Sequence, residues 1–130
     1  MKQTMLMDVD AHPADLNSFA AWYRRGDELA NQNRYQEALD SFDQALAIDP
    51  NSAEVLVFRG VMLIYLGRYQ AALASCERAL EINPDEVEAW IFRGAALRYL
   101  GQHKKAYASY ERALEIDKES NHHANRDLNP

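Results

Sequence analysis

Shifted against itself by 34 residues, the chain falls into register three times, and a period of that length constrains the fold before any single motif does. Gly26, Gly60 and Gly94 coincide, as do Arg25, Arg59 and Arg93, and Ala38, Ala72 and Ala106. So do Ala45, Ala79 and Ala113, Leu46, Leu80 and Leu114, and Ile48, Ile82 and Ile116. No insertion breaks the period, so each unit reads as one supersecondary element that buries its apolar faces by stacking on its neighbours. Pro50 and Pro84 also coincide, with Lys118 in the third place, and Trp22 and Trp90 bracket Leu56.

Within a unit the apolar residues recur at spacings of three and four, the mark of a helix with one buried face. First helices are expected over Ala20 to Asn31, Glu54 to Leu66 and Glu88 to Leu100. Asn33-Arg34, Gly67-Arg68 and Gly101-Gln102 follow, and asparagine or glycine there suits the left-handed residue that stops a helix. Second helices are expected over Tyr35 to Ile48, Tyr69 to Ile82 and His103 to Ile116. Asp49-Pro50 and Asn83-Pro84 end the first two, because proline cannot continue a helix interior; the third gives way to the polar Asp117-Lys118-Glu119-Ser120. The organisation is then a leader or partial N-terminal cap over 1–18, units over 19–52, 53–86 and 87–120, and a polar C-terminal tail over 121–130.

Trp22, Gly26, Ala38, Phe42, Ala45 and Pro50 of the first unit carry a family signature, as do Leu56, Gly60, Tyr69, Ala72, Ala79 and Pro84 of the second and Trp90, Gly94, Ala106, Tyr110 and Ala113 of the third. The pattern resembles the tetratricopeptide repeat. That resemblance implies an all-α, right-handed superhelical solenoid of three tandem helix-turn-helix units, acting as a non-catalytic adaptor or scaffold that holds a peptide or protein segment in a concave groove. It directs attention to Tyr23, Arg24, Asp27 and Asn31 in the first unit, to Glu54, Val57, Phe58, Val61 and Tyr65 in the second, and to Glu88, Ile91, Phe92, Ala95 and Tyr99 in the third. One subgroup of the family clamps the terminal carboxylate of chaperones with lysine, arginine and asparagine. The matching places here hold Tyr23, Asp27, Phe58, Glu88 and Phe92, so the clamp is absent and the expected partner is apolar or mixed in character. Arginine stands at Arg25, Arg59 and Arg93 where the family usually has leucine, so a polar stripe is expected there. The alternative is a self-assembly module joined through the last repeat, with Tyr107, Tyr110 and Leu114 meeting another copy.

Composition narrows the functional classes. The 130 residues carry 20 acidic and 14 basic side chains, a net charge of −6, which is a poor match for a nucleic-acid backbone. The excess of acid lies in residues 1–86, at −7, whereas 87–120 carries +1. Lys104 and Lys105 alone make no nucleic-acid motif. No stretch reaches the roughly 18 apolar residues of a membrane span, and Met1 to Asp8 has no signal-peptide pattern. A single cysteine, Cys76, forms no internal disulfide, so the expectation is a cytoplasmic protein. Neither a cofactor nor a metal is expected: His122-His123 lacks the spacing of a metal motif, His103 replaces Tyr35 and Tyr69 in the repeat, and His12 stands alone. Cys76 replaces Phe42 and Tyr110, a packing position rather than a nucleophile's. Glu77 with Glu81 and Glu111 with Glu115 share helix faces without forming a catalytic pair. Met5, Leu6, Met7 and Val9 form an apolar stretch that either crosses the groove or remains a loose leader.

Overall fold

A computed structural model describes residues 17–128, with side chains through Asn121. Six helices follow one another: α1 Phe19–Asn31, α2 Tyr35–Ile48, α3 Ala53–Tyr65, α4 Tyr69–Ile82, α5 Val87–Tyr99 and α6 His103–Leu128. Each odd helix packs on the even helix after it, α2 and α4 pack on the first helix of the next unit, and α3 also touches α5. The result is a stack of three helical hairpins, with no strand among the described residues.

Local chemistry sets the boundaries. Ser18 and Ser52 cap α1 and α3 by accepting from the backbone N–H of Ala21 at 3.1 Å and of Val55 at 3.2 Å, which satisfies amides that a helix start leaves open. The intra-unit turns place Asn33, Gly67 and Gly101 at φ of 61°, 75° and 81°, the left-handed conformation expected at each stop. In all three the next residue but one reaches back five positions, Arg34 N–H to the Leu29 carbonyl at 2.9 Å, Arg68 to Leu63 at 2.8 Å and Gln102 to Leu97 at 2.9 Å, closing a Schellman turn. Asp49 and Asn83 accept the N–H two residues on, at 3.1 Å each, and so turn the chain across Pro50 and Pro84.

One departure from expectation lies at the last helix. α6 does not stop at Ile116 but continues to Leu128, through the stretch expected to be a separate polar tail. Its physical reason is local: Lys118 stands where Pro50 and Pro84 stand, and neither proline nor glycine occurs between His103 and Leu128.

The core runs through the hairpins as one cluster containing Leu29, Leu39, Phe42, Val55, Met62, Leu63, Leu73 and Leu97, with a second cluster around Leu56, Val57, Ala79 and Ala89 between the second and third units. Ala38, Ala45, Ala72 and Ala79 are wholly buried where helices cross closely. At the crossings a glycine faces a larger side chain across the hairpin: an added Cβ at Gly26 would meet the Phe42 ring at 2.6 Å, and one at Gly94 the Tyr110 ring at 2.6 Å.

The arginine stripe joins the units. Arg59 on α3 donates from Nε to Asp43 Oδ1 on α2 at 2.6 Å, and Arg93 on α5 pairs with Glu77 on α4 at 3.3 Å. Arg93 also donates to the buried hydroxyl of Ser109 and lies over the Trp90 ring, while Arg25 lies over Trp22. Ser75 donates to the Leu56 carbonyl at 2.6 Å inside the second hairpin. Polar groups at these positions are therefore partnered in the seams between helices rather than displayed as a free surface.

Candidate functional site

The groove candidates project mainly from α1, α3 and α5, and the structure sorts them into three environments. In the first, Glu54, Val57, Phe58, Glu86 and Glu88 surround a hollow of ≈ 270 Å³ between the second and third units. Val57 is 3% exposed, so it forms the floor rather than a free wall. In the second, Asp27, Ala30, Asn31, Asn33, Tyr35, Phe58, Met62 and Tyr65 surround a hollow of ≈ 330 Å³ between the first and second units. Phe58 belongs to both. Its ring lies 5.9 Å from that of Phe42 and 5.8 Å from that of Tyr23, so part of it is committed to packing.

Tyr23 is tied to the same region, its hydroxyl donating to Glu54 Oε1. Burial, and then the bond to Glu54, push the phenol up to about 12, with Asp27 adding to the effect. The phenol therefore remains protonated and a donor near neutral pH. Val61 packs against both core clusters and Phe92 against the second; neither lines either hollow. Ala95 is half-buried and Arg24 is exposed, and both likewise lie outside the two hollows.

Tyr65 and Tyr99 remain 61% and 53% exposed, yet each is half of a stacked pair. Tyr35 lies on Tyr65 with centroids 4.3 Å apart and planes 4° apart, and Tyr69 lies on Tyr99 at 4.5 Å and 5°. Arg98 sits 5.3 Å from the Tyr99 ring centre. Tyr35 and Tyr69 were not among the expected groove residues, although Tyr35 lines the second hollow. A self-comparison at the repeat length cannot reveal the pairs, because the stacked partners are separated by less than one period.

The third environment regroups two sets that sequence had separated. Ile91, expected in the groove, lines a hollow of ≈ 430 Å³ at the far end of the stack with Val87, Tyr110, Ala113, Leu114 and Asp117. Ile91 is 39% and Leu114 59% exposed. One unit earlier Val57 and Leu80 hold the same places, covered by the following unit. Tyr107 is strongly exposed but outside this hollow.

No reactive group gathers elsewhere among the described residues. Cys76 is completely buried, and that burial, with Glu77 adding and Arg93 opposing, pushes its thiol up to about 12. Its sulfur is inert packing material at neutral pH. No three ligand-type side chains among the described residues are placed to hold a metal ion, and no helix among them is long and apolar enough to cross a membrane. His12, Met5, Leu6, Met7 and Val9 lie outside the described residues, as do the side chains of His122 and His123.

Two family models, each described as tetratricopeptide repeat, match residues 19–52 and 51–119. The chain belongs to the tetratricopeptide repeat family. Among solved structures it is similar to the first such domain of Spaghetti (RPAP3) bound to the HSP90 peptide SRMEEVD, with 26% identity over 80% of this chain and 82% of that one and a TM-score of 0.76. It shares the fold of the Sgt2 domain from Aspergillus fumigatus, at 24% identity, coverage of 86% and 84% and a TM-score of 0.74. MamA, at 24% identity and a TM-score of 0.76, shares the fold as well, aligned over 82% of this chain and 62% of that one. No curated protein matches the chain. The all-helical solenoid expected from the repeat is thus the fold of the chain, and its class is that of protein-interaction modules.

Proposed function

We propose that the chain is a non-catalytic adaptor that takes a peptide or protein segment of apolar or mixed character into its concave groove. The observation that carries this reading is the pair of adjoining hollows that share Phe58, one rimmed by Glu54, Glu86 and Glu88 and the other by Asp27, Asn31 and Tyr65. An apolar floor with a polar rim is the arrangement in which desolvation supplies affinity and the rim sets orientation. The similarity to a domain whose structure holds a peptide supports the same class of role. At the five clamp positions, however, Tyr23, Asp27, Phe58, Glu88 and Phe92 offer no cation to a terminal carboxylate, so an acidic chaperone tail is not the proposed ligand. The lone cysteine, buried and unpaired, supports assignment to the cytoplasm.

A second reading, self-assembly through the last repeat, rests on the exposed apolar hollow at Ile91, Tyr110 and Leu114. Two surface variants separate the readings. Asn31 is exposed at the edge of the second hollow, so Asn31→Arg fills the groove without touching the core; Leu114→Asp places a charge on the end face. Affinity capture from extract of the native organism with intact and substituted chains, each of wild-type helicity, is the test. A heterologous partner lost with Asn31→Arg and retained with Leu114→Asp supports the adaptor. Recovery of self-copies alone, lost with Leu114→Asp, replaces it with the assembly reading.

A further inference from the structure

From the charge of the groove we infer that its partner segment carries an arginine or lysine beside an aromatic or aliphatic residue, and that the cationic side chain enters the hollow of Glu54, Glu86 and Glu88. The inference rests on the groove reading above and names the ligand chemistry for it. The hollow of ≈ 270 Å³ has Val57 and Phe58 as its apolar floor and three carboxylates as its rim. Long cationic side chains suit such a shape, because their methylene stems cover apolar surface while the charged head stays at the polar edge. A neutral segment would leave the three carboxylates facing one another across a partly desolvated space, and an acidic one would add to their repulsion.

The rim is held ready to accept. Tyr23 donates to one oxygen of Glu54, and Asn83 donates to Glu86 Oε2 at 3.0 Å. Each carboxylate retains an oxygen for a charged donor, and Glu88 is exposed. No lysine, arginine or histidine lines either groove hollow, so nothing on the chain already supplies the missing charge there. The adjoining hollow continues from the other side of Phe58 toward Met62, Tyr35 and Tyr65, with Asp27 at its margin. It suits an apolar residue next to the cation in the bound segment. The acid is also confined to this side of the chain: residues 1–86 carry −7 and residues 87–120 carry +1.

The test begins with a displayed library of random internal peptides selected on the intact chain. The best binder is then synthesised with amidated ends, once as selected and once with methionine in place of its basic residue. Affinities are read by fluorescence anisotropy at low and high salt, on wild type, on the Glu54→Gln/Glu86→Gln/Glu88→Gln variant and on Asn31→Arg. Glutamine at 54 still accepts from Tyr23, so the triple variant preserves the local bond. The expected result is enrichment of lysine or arginine next to an apolar residue, with the methionine peptide bound about tenfold more weakly by wild type. That difference shrinks at high salt and vanishes on the triple variant. Enriched peptides without a basic residue, or a preference that survives the triple substitution, overturn the inference; if Asn31→Arg still blocks those peptides, the groove reading stands. Binding untouched by Asn31→Arg, or no enrichment over the bare support, overturns both.

Discussion

Replacing Gly60 by alanine measures how tightly the second hairpin closes. The new Cβ would lie 2.9 Å from Cys76 Sγ and 3.4 Å from the Ala72 carbonyl oxygen. The first distance is far inside carbon–sulfur contact. Cys76 has no exposed side into which its sulfur can turn, so the helices must separate or the thiol must leave its rotamer, at a cost of about 2 kcal/mol. Alanine regains about 1 kcal/mol of helix propensity over glycine in a helix interior, which leaves Gly60→Ala less stable by about 1 kcal/mol. Cys76→Ala alone forfeits the sulfur's packing, about 1 kcal/mol. In the double variant the methyl at position 60 occupies part of the space the sulfur vacated, so stability returns close to wild type, and the two sites couple by about 2 kcal/mol. Urea denaturation followed by far-UV circular dichroism gives all three differences. Losses that simply add, or a Gly60→Ala chain more stable than wild type, would refute the argument that the sulfur opposite is what excludes a side chain at position 60.

Three further outcomes follow from the same geometry. The Cys76 thiol has a folded value of about 12 against 9.0 for the free group, so it contributes stability that is complete below pH 9 and is lost as pH rises from there toward 12. Cys76→Ala should flatten the alkaline decline over that window, and native chain at pH 8 should leave a thiol reagent unreacted until urea is added. Arg59→Met removes the bridge to Asp43, whose side chains are 31% and 44% exposed; with solvent screening the loss is about 0.5 kcal/mol and falls with added salt, which equilibrium unfolding at two ionic strengths will detect. Lys118→Pro should end α6 near Ile116, removing the ellipticity of the segment to Leu128 while the thermal midpoint of the hairpins changes little; unchanged ellipticity would mean that the extension contributes no helix in solution.

Features governed by local stops were legible in the sequence, and features governed by what lies beyond a unit were not. Asn33, Gly67 and Gly101 turn the chain where periodicity placed the breaks, because a left-handed residue acts on its own backbone. The continuation of α6 was hidden by analogy with the earlier units, although the local signal, Lys118 in place of proline, pointed the other way. Tyr23, Val57 and Ile91 hold one repeat position, yet Tyr23 bonds Glu54, Val57 is buried and Ile91 is open. The position is constant while the neighbour differs, and the neighbour decides exposure.

The arginine stripe carried a signal that could have been read. Asp43 and Glu77 stand 16 residues before Arg59 and Arg93, which is why each arginine closes onto the preceding unit. Glu111 continues the acidic series, but Asp127 holds the place where the next arginine would stand. The pairing therefore ends with the third unit, on the same end of the stack where Ile91 and Leu114 are uncovered. The groove differs in kind. Its carboxylates repeat at Glu54 and Glu88, while Asp27 and Glu86 come from other repeat positions, so its charge emerges only when α1, α3 and the turn before α5 are brought together.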